Sequence, residues 1–435
     1  MNAPSAVSKP NVLVETSHDL PLVSVSVATK TGSLLDPTEL EGLTRVSGRL
    51  MRRTGGGRDP QQIDTLIDAL GGSLAVEVNP SATVFQGTVI RRSLDAFLGV
   101  LADVLAHPGL SEEELGRLVR ETQAELVEAL DDDRGLGRRW FRKAMFDGHP
   151  YGRPVNGISS TLERITPADV ARKAQQLVTR EGLIVAFSGD ITQAEAEASA
   201  QRLLADLPSG EVPVETTPEP SVRPGRRLVI VDKPERTQTQ ILIGGLGTHA
   251  HDADHTPLLI GNTIFGGTFT ARMTQEVRSK RGWSYGAYSS LPVDRRRQAF
   301  SMWTFPKAED AAPCIALQLE MLQKLRAEGV TKKELAWAKR YLTRSHAFAV
   351  DTPSKRVGLA LDARLYDLPE HYYEQYLARV AAASLEQVNQ ALAARLPEKD
   401  LVIVVVGTAA DIRAQLEQAI PDLAEVEVVK FDVEV

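Results

Sequence analysis

Residues 165–183 read I-T-P-A-D-V-A-R-K-A-Q-Q-L-V-T-R-E-G-L, and residues 383–401 read A-S-L-E-Q-V-N-Q-A-L-A-A-R-L-P-E-K-D-L. At a constant offset of 218 residues Thr166 meets Ser384, Val170 meets Val388, Leu183 meets Leu401 and Gly189 meets Gly407. Each stretch sets a hydroxyl cap before an amphipathic helix, then an apolar strand, then a glycine. Earlier anchors recur as well. Gly109-Leu110-Ser111 with Glu114 matches Gly329-Val330-Thr331 with Glu334, and Gly55-Gly56 with Gly71 matches Gly266-Gly267 with Gly282. A programme that runs twice implies two similar domains, and chemistry belongs where the copies differ.

Working outward, Leu22–Thr31 alternates as a strand with one wet face, and Asp36-Pro37-Thr38-Glu39 opens a helix that stops at Gly55-Gly56-Gly57. A second helix spans 60–70, strands span 73–79 and 82–90, and Ser111 with Glu114 caps a long helix to about residue 131. The second half repeats the scheme: strand 238–244, helices 256–264 and 269–281, strand 283–290, helices 311–327 and 331–348, and a closing strand 401–406. Strands arriving as hairpins between runs of helices give an α+β class. Two homologous domains are expected, each a mostly antiparallel sheet with helices packed on one face. Pro208, Pro213, Pro218, Pro220 and Pro224 mark a semi-rigid linker. The expected domains are therefore 1–207 and 226–435, joined by 208–225.

The chain has 435 residues, 43% hydrophobic and 25% charged, an ordinary globular composition. A net charge of −7 argues against a general nucleic-acid partner. The lone Cys314 excludes a disulfide framework and a thiolate metal site. Residues 1–14 carry no signal-peptide pattern, and no apolar run approaches membrane-spanning length. The expectation is a cytoplasmic protein with no membrane partner.

The copies differ in two places. In the first helix, Arg45 and Arg49 share one face, with Gly48 between them. Two histidines at this spacing, with a carboxylate between, would make a zinc-hydrolase site. Arginine offers no lone pair and stays protonated, so it cannot ligate a metal. With Arg52 and Arg53 the pair makes a basic stripe, either a solvated face or a pocket that imitates a metal site. Glu125 borders the apolar stripe of the long helix, as surface glutamates do, and gains interest only beside Arg45 and Arg49. In the second copy, Arg278 precedes the helix-ending Gly282, and Tyr285 follows in the next strand. A guanidinium and a phenol at one mouth suit an extended peptide backbone, the phenol facing a developing oxyanion. The corresponding residues of the first copy, Ile67 and Leu74, can do neither.

These residues resemble the M16 (pitrilysin-like) metallopeptidases, and most closely the bacterial subunits related to the mitochondrial processing peptidase and the cytochrome bc1 core proteins. The resemblance covers nearly the whole chain. It is carried by the duplication, by Thr54–Leu74, by Gly148-His149-Pro150-Tyr151-Gly152-Arg153-Pro154, and by Glu276–Tyr285. It implies a duplicated LuxS/MPP-like metallohydrolase fold. Active members carry H-x-x-E-H, whose histidines fall on Arg45 and Arg49 and whose glutamate falls on Gly48. The distant glutamate ligand falls on Glu125, which is retained. The family's substrate-gripping Arg–Tyr pair falls on Arg278 and Tyr285. The implied role is a non-catalytic, substrate-binding subunit that binds no metal. It would complete the active site of an H-x-x-E-H partner, which would hold the zinc, in a heterodimeric peptidase. Arg45 and Arg49 are expected to pair with Glu125. The alternative is a non-enzymatic scaffold or peptide-binding subunit like the core proteins.

Three further motifs stand aside from that role. His249, His251 and His255, with Asp252 and Asp254, could form a small metal site, but they fall where polar loop residues are expected. Gly55-Gly56-Gly57 and Gly266-Gly267 lack the Gly-Lys-Ser/Thr of a phosphate loop. His149 has no nearby nucleophile and reads as a turn residue.

Overall fold

The computed structural model describes residues 11–434. Their backbone gathers into two compact units, each assembled from separated segments of chain.

The first unit comprises residues 11–124, Pro154–Thr217 and Phe348–Asp367. Its sheet contains β1 (Asn11–Thr16), β2 (Leu22–Thr29), β3 (Ser73–Val78), β4 (Thr83–Ile90) and β5 (Leu183–Gly189), in the order β1-β5-β2-β4-β3. Only β1 runs parallel to its neighbour; the other pairings are antiparallel. The alternation of β2 is realised directly. Val23, Val25 and Val27 are buried in the main core with Phe85, Val185 and Phe187. Phe97, Leu101 and Val104 of helix Leu94–Ala106 pack there, as do helices Pro167–Leu177 and Gln193–Leu203. The opposite face carries one helix, Pro353–Leu365. Its Val357, Leu361 and Leu365 pack on Ala28, Ala82, Ile184 and Ala186. A strand covered on both faces has no wet side, which explains why β5 is apolar over most of its length.

The second unit comprises Glu125–Arg153, Pro218–Ala347 and residues 368–434. Its strands are β6 (Arg226–Asp232), β7 (Gln240–Leu246), β8 (Ala287–Ser290), β9 (Ala299–Thr304), β10 (Val402–Gly407) and β11 (Leu423–Lys430), in the order β11-β6-β10-β7-β9-β8. The pairings of β6 with β10 and β11 are parallel and the remainder antiparallel. Ile241, Ile243, Ile403 and Val405 face the main core with helices His255–Phe265, Ala311–Glu328 and Leu385–Arg395. The other face is again covered by a single helix, Asp133–Met145, which lies on β7 and β10. Gly137 permits the close approach: a Cβ there would stand 2.9 Å from Leu242 Cδ1.

The repeat seen in the sequence is a repeat of structure. Thr166 and Ser384 each accept a hydrogen bond from the amide three residues on, and Asp169 and Gln387 return the bond to the cap. Both capped helices lead into the central strands β5 and β10. The mostly antiparallel α+β class holds for both units, with most helices on one face. Element ends shift locally. The helix expected from Asp36 is a 3-10 turn at Thr38–Leu40 followed by a helix beginning at Leu43. The helix expected over 269–281 is one α-helical turn, Arg272–Thr274, continued by a π-helical segment, Gln275–Lys280. The residues between Pro208 and Pro224 contain no helix or strand.

Candidate functional site

Helix His255–Phe265 ends at Gly266 because β8 passes directly above it. A Cβ on Gly266 would lie 2.6 Å from the Ser289 amide, and that amide donates to Gly266 O at 2.9 Å. Thr274 Oγ1 donates to Ala287 O at 2.9 Å and ties the next turn to the same strand. Met273 and Val277 anchor this turn in the core. The π-helical segment then closes on Gly282, at φ +66°, with Gly282 N donating to Arg278 O and Trp283 N to Val277 O. A left-handed glycine is what such an ending needs. π-helical insertions of this kind are frequent at functional sites.

The result is a three-layer stack. The Arg278 guanidinium carbon stands 4.1 Å from the Tyr285 ring centroid and 4.3 Å from that of Phe269. Stacking on aromatic faces leaves a guanidinium its in-plane donors. Arg278 Nη1 is buried and has no hydrogen-bond partner among the described residues, although an unpaired buried donor is costly. The nearby carboxylate, Glu276, is taken by Lys280 and by Arg281 at 2.7 Å. Hydrogen bonds from Lys280 and Arg281 hold its carboxyl below the usual range. Tyr285 is 71% exposed and Phe269 56% exposed, unusual values for large rings. Chemically this is a clamped cation with unused hydrogen-bonding capacity beside an accessible phenol. Sequence alone does not single out Phe269. Its only signal is an aromatic residue beside Gly266-Gly267, in a stretch that reads as helix.

The first helix, Leu43–Arg53, is positioned differently. Its N-cap, Gly42, has no side chain, and Asp36 supplies the missing acceptor: both carboxylate oxygens accept from Thr44 N at 3.1 Å. Asp36 is buried with Lys173, 3.3 Å away and itself bonded to Leu35 O. Burial pushes the Asp36 carboxyl up and the Lys173 ammonium down, so desolvation exceeds mutual attraction. Gly48 is buried against β3, where a Cβ would meet Val76 Cγ2 at 3.1 Å. Arg49 Nη1 donates to Thr122 Oγ1 at 3.2 Å. Arg52 pairs with Asp64 and bonds Leu74 O, and Arg53 pairs with Glu121. Arg45, Arg49 and Glu125 are all half-buried. The donor set at positions 45, 48 and 49 does not fit zinc: two guanidinium groups and a hydrogen supply no lone pair.

The histidine-rich loop is engaged in its own fold. His255 is 1% exposed and bridges Thr248 Oγ1 and Tyr372 Oη, each at 2.9 Å. His249 bonds Arg295 O at 2.8 Å, Asp252 pairs with Arg297 and Asp254 with Arg395. His149 Nδ1 accepts from Tyr151 N at 3.1 Å, and its Nε2 lies 2.9 Å from Pro218 O, the geometry of a turn residue.

A duplicated sheet-and-helix architecture, with an Arg–Tyr stack in the second copy and no metal donors at positions 45, 48 and 49 of the first helix, defines a metallopeptidase-type fold without the metallopeptidase centre. Residues 11–158 match the family model described as Insulinase (Peptidase family M16), and residues 164–342 match Peptidase M16 inactive domain. An uncharacterized zinc protease of Mycobacterium tuberculosis is 25% identical over 398 residues, covering 89% of each chain. A non-peptidase homolog of Helicobacter pylori is 20% identical over 401 residues, covering 92% of each. Among solved structures, a peptidase M16 inactive domain from Pseudomonas fluorescens superimposes with a TM-score of 0.85 at 24% identity, over 92% of this chain and 96% of that one. The chain belongs to the M16 peptidase family. Among the described residues no helix is long and apolar enough to cross a membrane.

Proposed function

We propose that this protein is the metal-free, substrate-gripping member of an M16 pair, and that it completes the peptidase site of a partner chain bearing H-x-x-E-H. The observation that carries the reading is the Arg278 stack: a guanidinium held between Phe269 and Tyr285 whose buried Nη1 has no partner among the described residues. Such a group is pre-organised to donate to a peptide carbonyl. The Tyr285 hydroxyl, on an exposed ring, would donate to the oxygen that gains charge when the scissile carbonyl is attacked. A non-peptidase homolog among the relatives supports a chain that does not hydrolyse peptides alone.

The test is co-expression with an H-x-x-E-H relative from the same genome, assaying each chain and the mixture. Hydrolysis by the mixture alone is expected. Tyr285→Phe should lower turnover of the mixture roughly 100-fold, as loss of one oxyanion donor does, with assembly by size-exclusion chromatography unchanged. Equal turnover with Tyr285→Phe would remove the assignment. Peptide hydrolysis by the isolated chain would overturn it altogether, and a stable homodimer indifferent to every such relative would favour a scaffold.

A further inference from the structure

Tyr285 also forms one end of a groove of about 610 Å³ whose remaining walls take no part in the Arg278 stack. One wall is helix Asp133–Met145, which turns Arg134, Arg138 and Arg142 into the groove at successive four-residue intervals. The floor is aromatic. Trp303 stacks with Tyr288 at 6.1 Å between centroids and packs on Phe305 at 4.9 Å, and its Nε1 donates to Gln240 Oε1. Among the described residues no aspartate or glutamate lines the groove.

The three arginines are not equivalent. Arg142 donates from Nε and Nη2 to Tyr151 O, at 3.2 and 2.8 Å, and is spoken for. The Arg134 guanidinium carbon lies 3.8 Å from the Trp303 ring centroid, so a face is used and the edge remains. Arg138 is exposed and makes no hydrogen bond or ion pair among the described residues. Burial, and then the charge of Arg138, lower the Arg134 pKa, against the opposing charge of Asp132 at the start of the helix. Alongside runs β8, the last strand of its sheet, whose edge away from β9 is held by Gly266 O and Thr274 Oγ1 at Ser289 N and Ala287 O.

We propose that this groove selects an acidic side chain, Asp or Glu, in a peptide that runs on into it from the Arg278–Tyr285 stack, and that Arg138 and Arg134 receive its carboxylate. The proposal rests on the reading that the stack grips peptide, and it adds a substrate class to that reading. Guanidinium edges match carboxylates in two-point geometry. A phosphate chain would satisfy the same cations, but Tyr285 makes the groove continuous with the stack read above as gripping peptide, and the net charge of −7 repels polyanions.

The experiment uses the full-length chain alone. Short fluorescent peptides, blocked at both ends and otherwise uncharged, carry a single Glu moved through successive positions, each paired with its Gln counterpart. Anisotropy titration should find one register in which Glu binds at least about tenfold more tightly than Gln. Arg138→Gln should abolish that difference and leave the Gln peptide's affinity unchanged. Arg138→Glu should instead favour a Lys peptide in the same register. Indifference to register, discrimination that survives Arg138→Gln, or displacement of the peptide by a single-stranded oligonucleotide at equal concentration would overturn the proposal. Because the titration contains no partner chain, its result is independent of turnover. Loss of turnover on Tyr285→Phe without Glu discrimination would leave the peptidase pairing intact and sink this groove, and the reverse outcome would do the opposite.

Discussion

At the scale of single residues, the two copies differ in what they can grip. Arg278 and Tyr285 stand out because their equivalents Ile67 and Leu74 are apolar. Phe269 and the arginines of Asp133–Met145 do not, because stacking depends on the chain's path through Gly266 and Gly282. Gly48 shows what the missing motif would need. Its backbone lies so near β3 that an added Cβ presses Val76 at 3.1 Å, while a glutamate would also bring charge to a site bordered by Val78 and Thr83 methyl groups. Gly48→Ala should be close to neutral, since better helix propensity offsets the squeeze. Gly48→Glu should cost about 2 kcal/mol in urea denaturation, and a variant as stable as the parent would contradict the packing argument. His255 shows how burial changes the meaning of a motif. Burial lowers its pKa from 6.5 to about 4, against the opposing pull of Asp252. Between those values the unfolded chain binds a proton that the folded chain does not. The stabilisation is thus complete above pH 6.5 and falls away toward pH 4, by on the order of 3 kcal/mol in all. Denaturation of His255→Gln beside the parent from pH 7 to 5 should show this slope only in the parent.

At the scale of elements, the strongly patterned pieces are legible and the locally ambiguous ones are not. Capped helices after Thr166 and Ser384, and the apolar strands after them, follow from caps and periodicity alone. Helices Asp133–Met145 and Pro353–Leu365 escape a reading by periodicity because Gly, Arg and Lys dilute their apolar faces, each of which meets only a single sheet surface. The first helix is expected too early because Asp36 reads as its cap. Asp36 does cap it, but from across a loop, through Thr44, six residues after the 3-10 turn begins. That arrangement depends on the buried Lys173, which joins the helix start to helix Pro167–Leu177. Lys173→Met should therefore cost about 3 kcal/mol by leaving the Asp36 charge buried. Asp36→Asn in the same chain should recover part of that loss, because the amide oxygen still accepts from Thr44 without a charge to bury. A double-mutant cycle in which the two losses simply add would show that the pair does not act as a unit.

At the scale of the whole molecule, the duplication is legible and the interleaving is not. Each unit covers the face of its sheet opposite the main core with one helix drawn from a distant part of the chain: Pro353–Leu365 for the first, Asp133–Met145 for the second. Sequence repeats reveal copies, not which copy a given helix serves. A break in the proline-rich stretch 208–225 therefore separates each sheet from its covering helix. In the first unit the loss exposes Ala28, Ala82, Ile184 and Ala186, and frees Val357, Leu361 and Leu365 from the surface that buries them. At about 2 kcal/mol for each of those three larger side chains, the deficit is about 6 kcal/mol, comparable with the entire stability of many domains. Fragments 1–217 and 218–435, expressed singly, should be insoluble or bind the dye ANS as loosely packed states. Co-expressed, they should recover a cooperative thermal transition, since every helix then finds its sheet. A soluble fragment 1–217 with a sharp transition of its own would show that helix Pro353–Leu365 is dispensable. The unbroken apolar run of β5 before Ser188 would then need a cause other than burial on both faces.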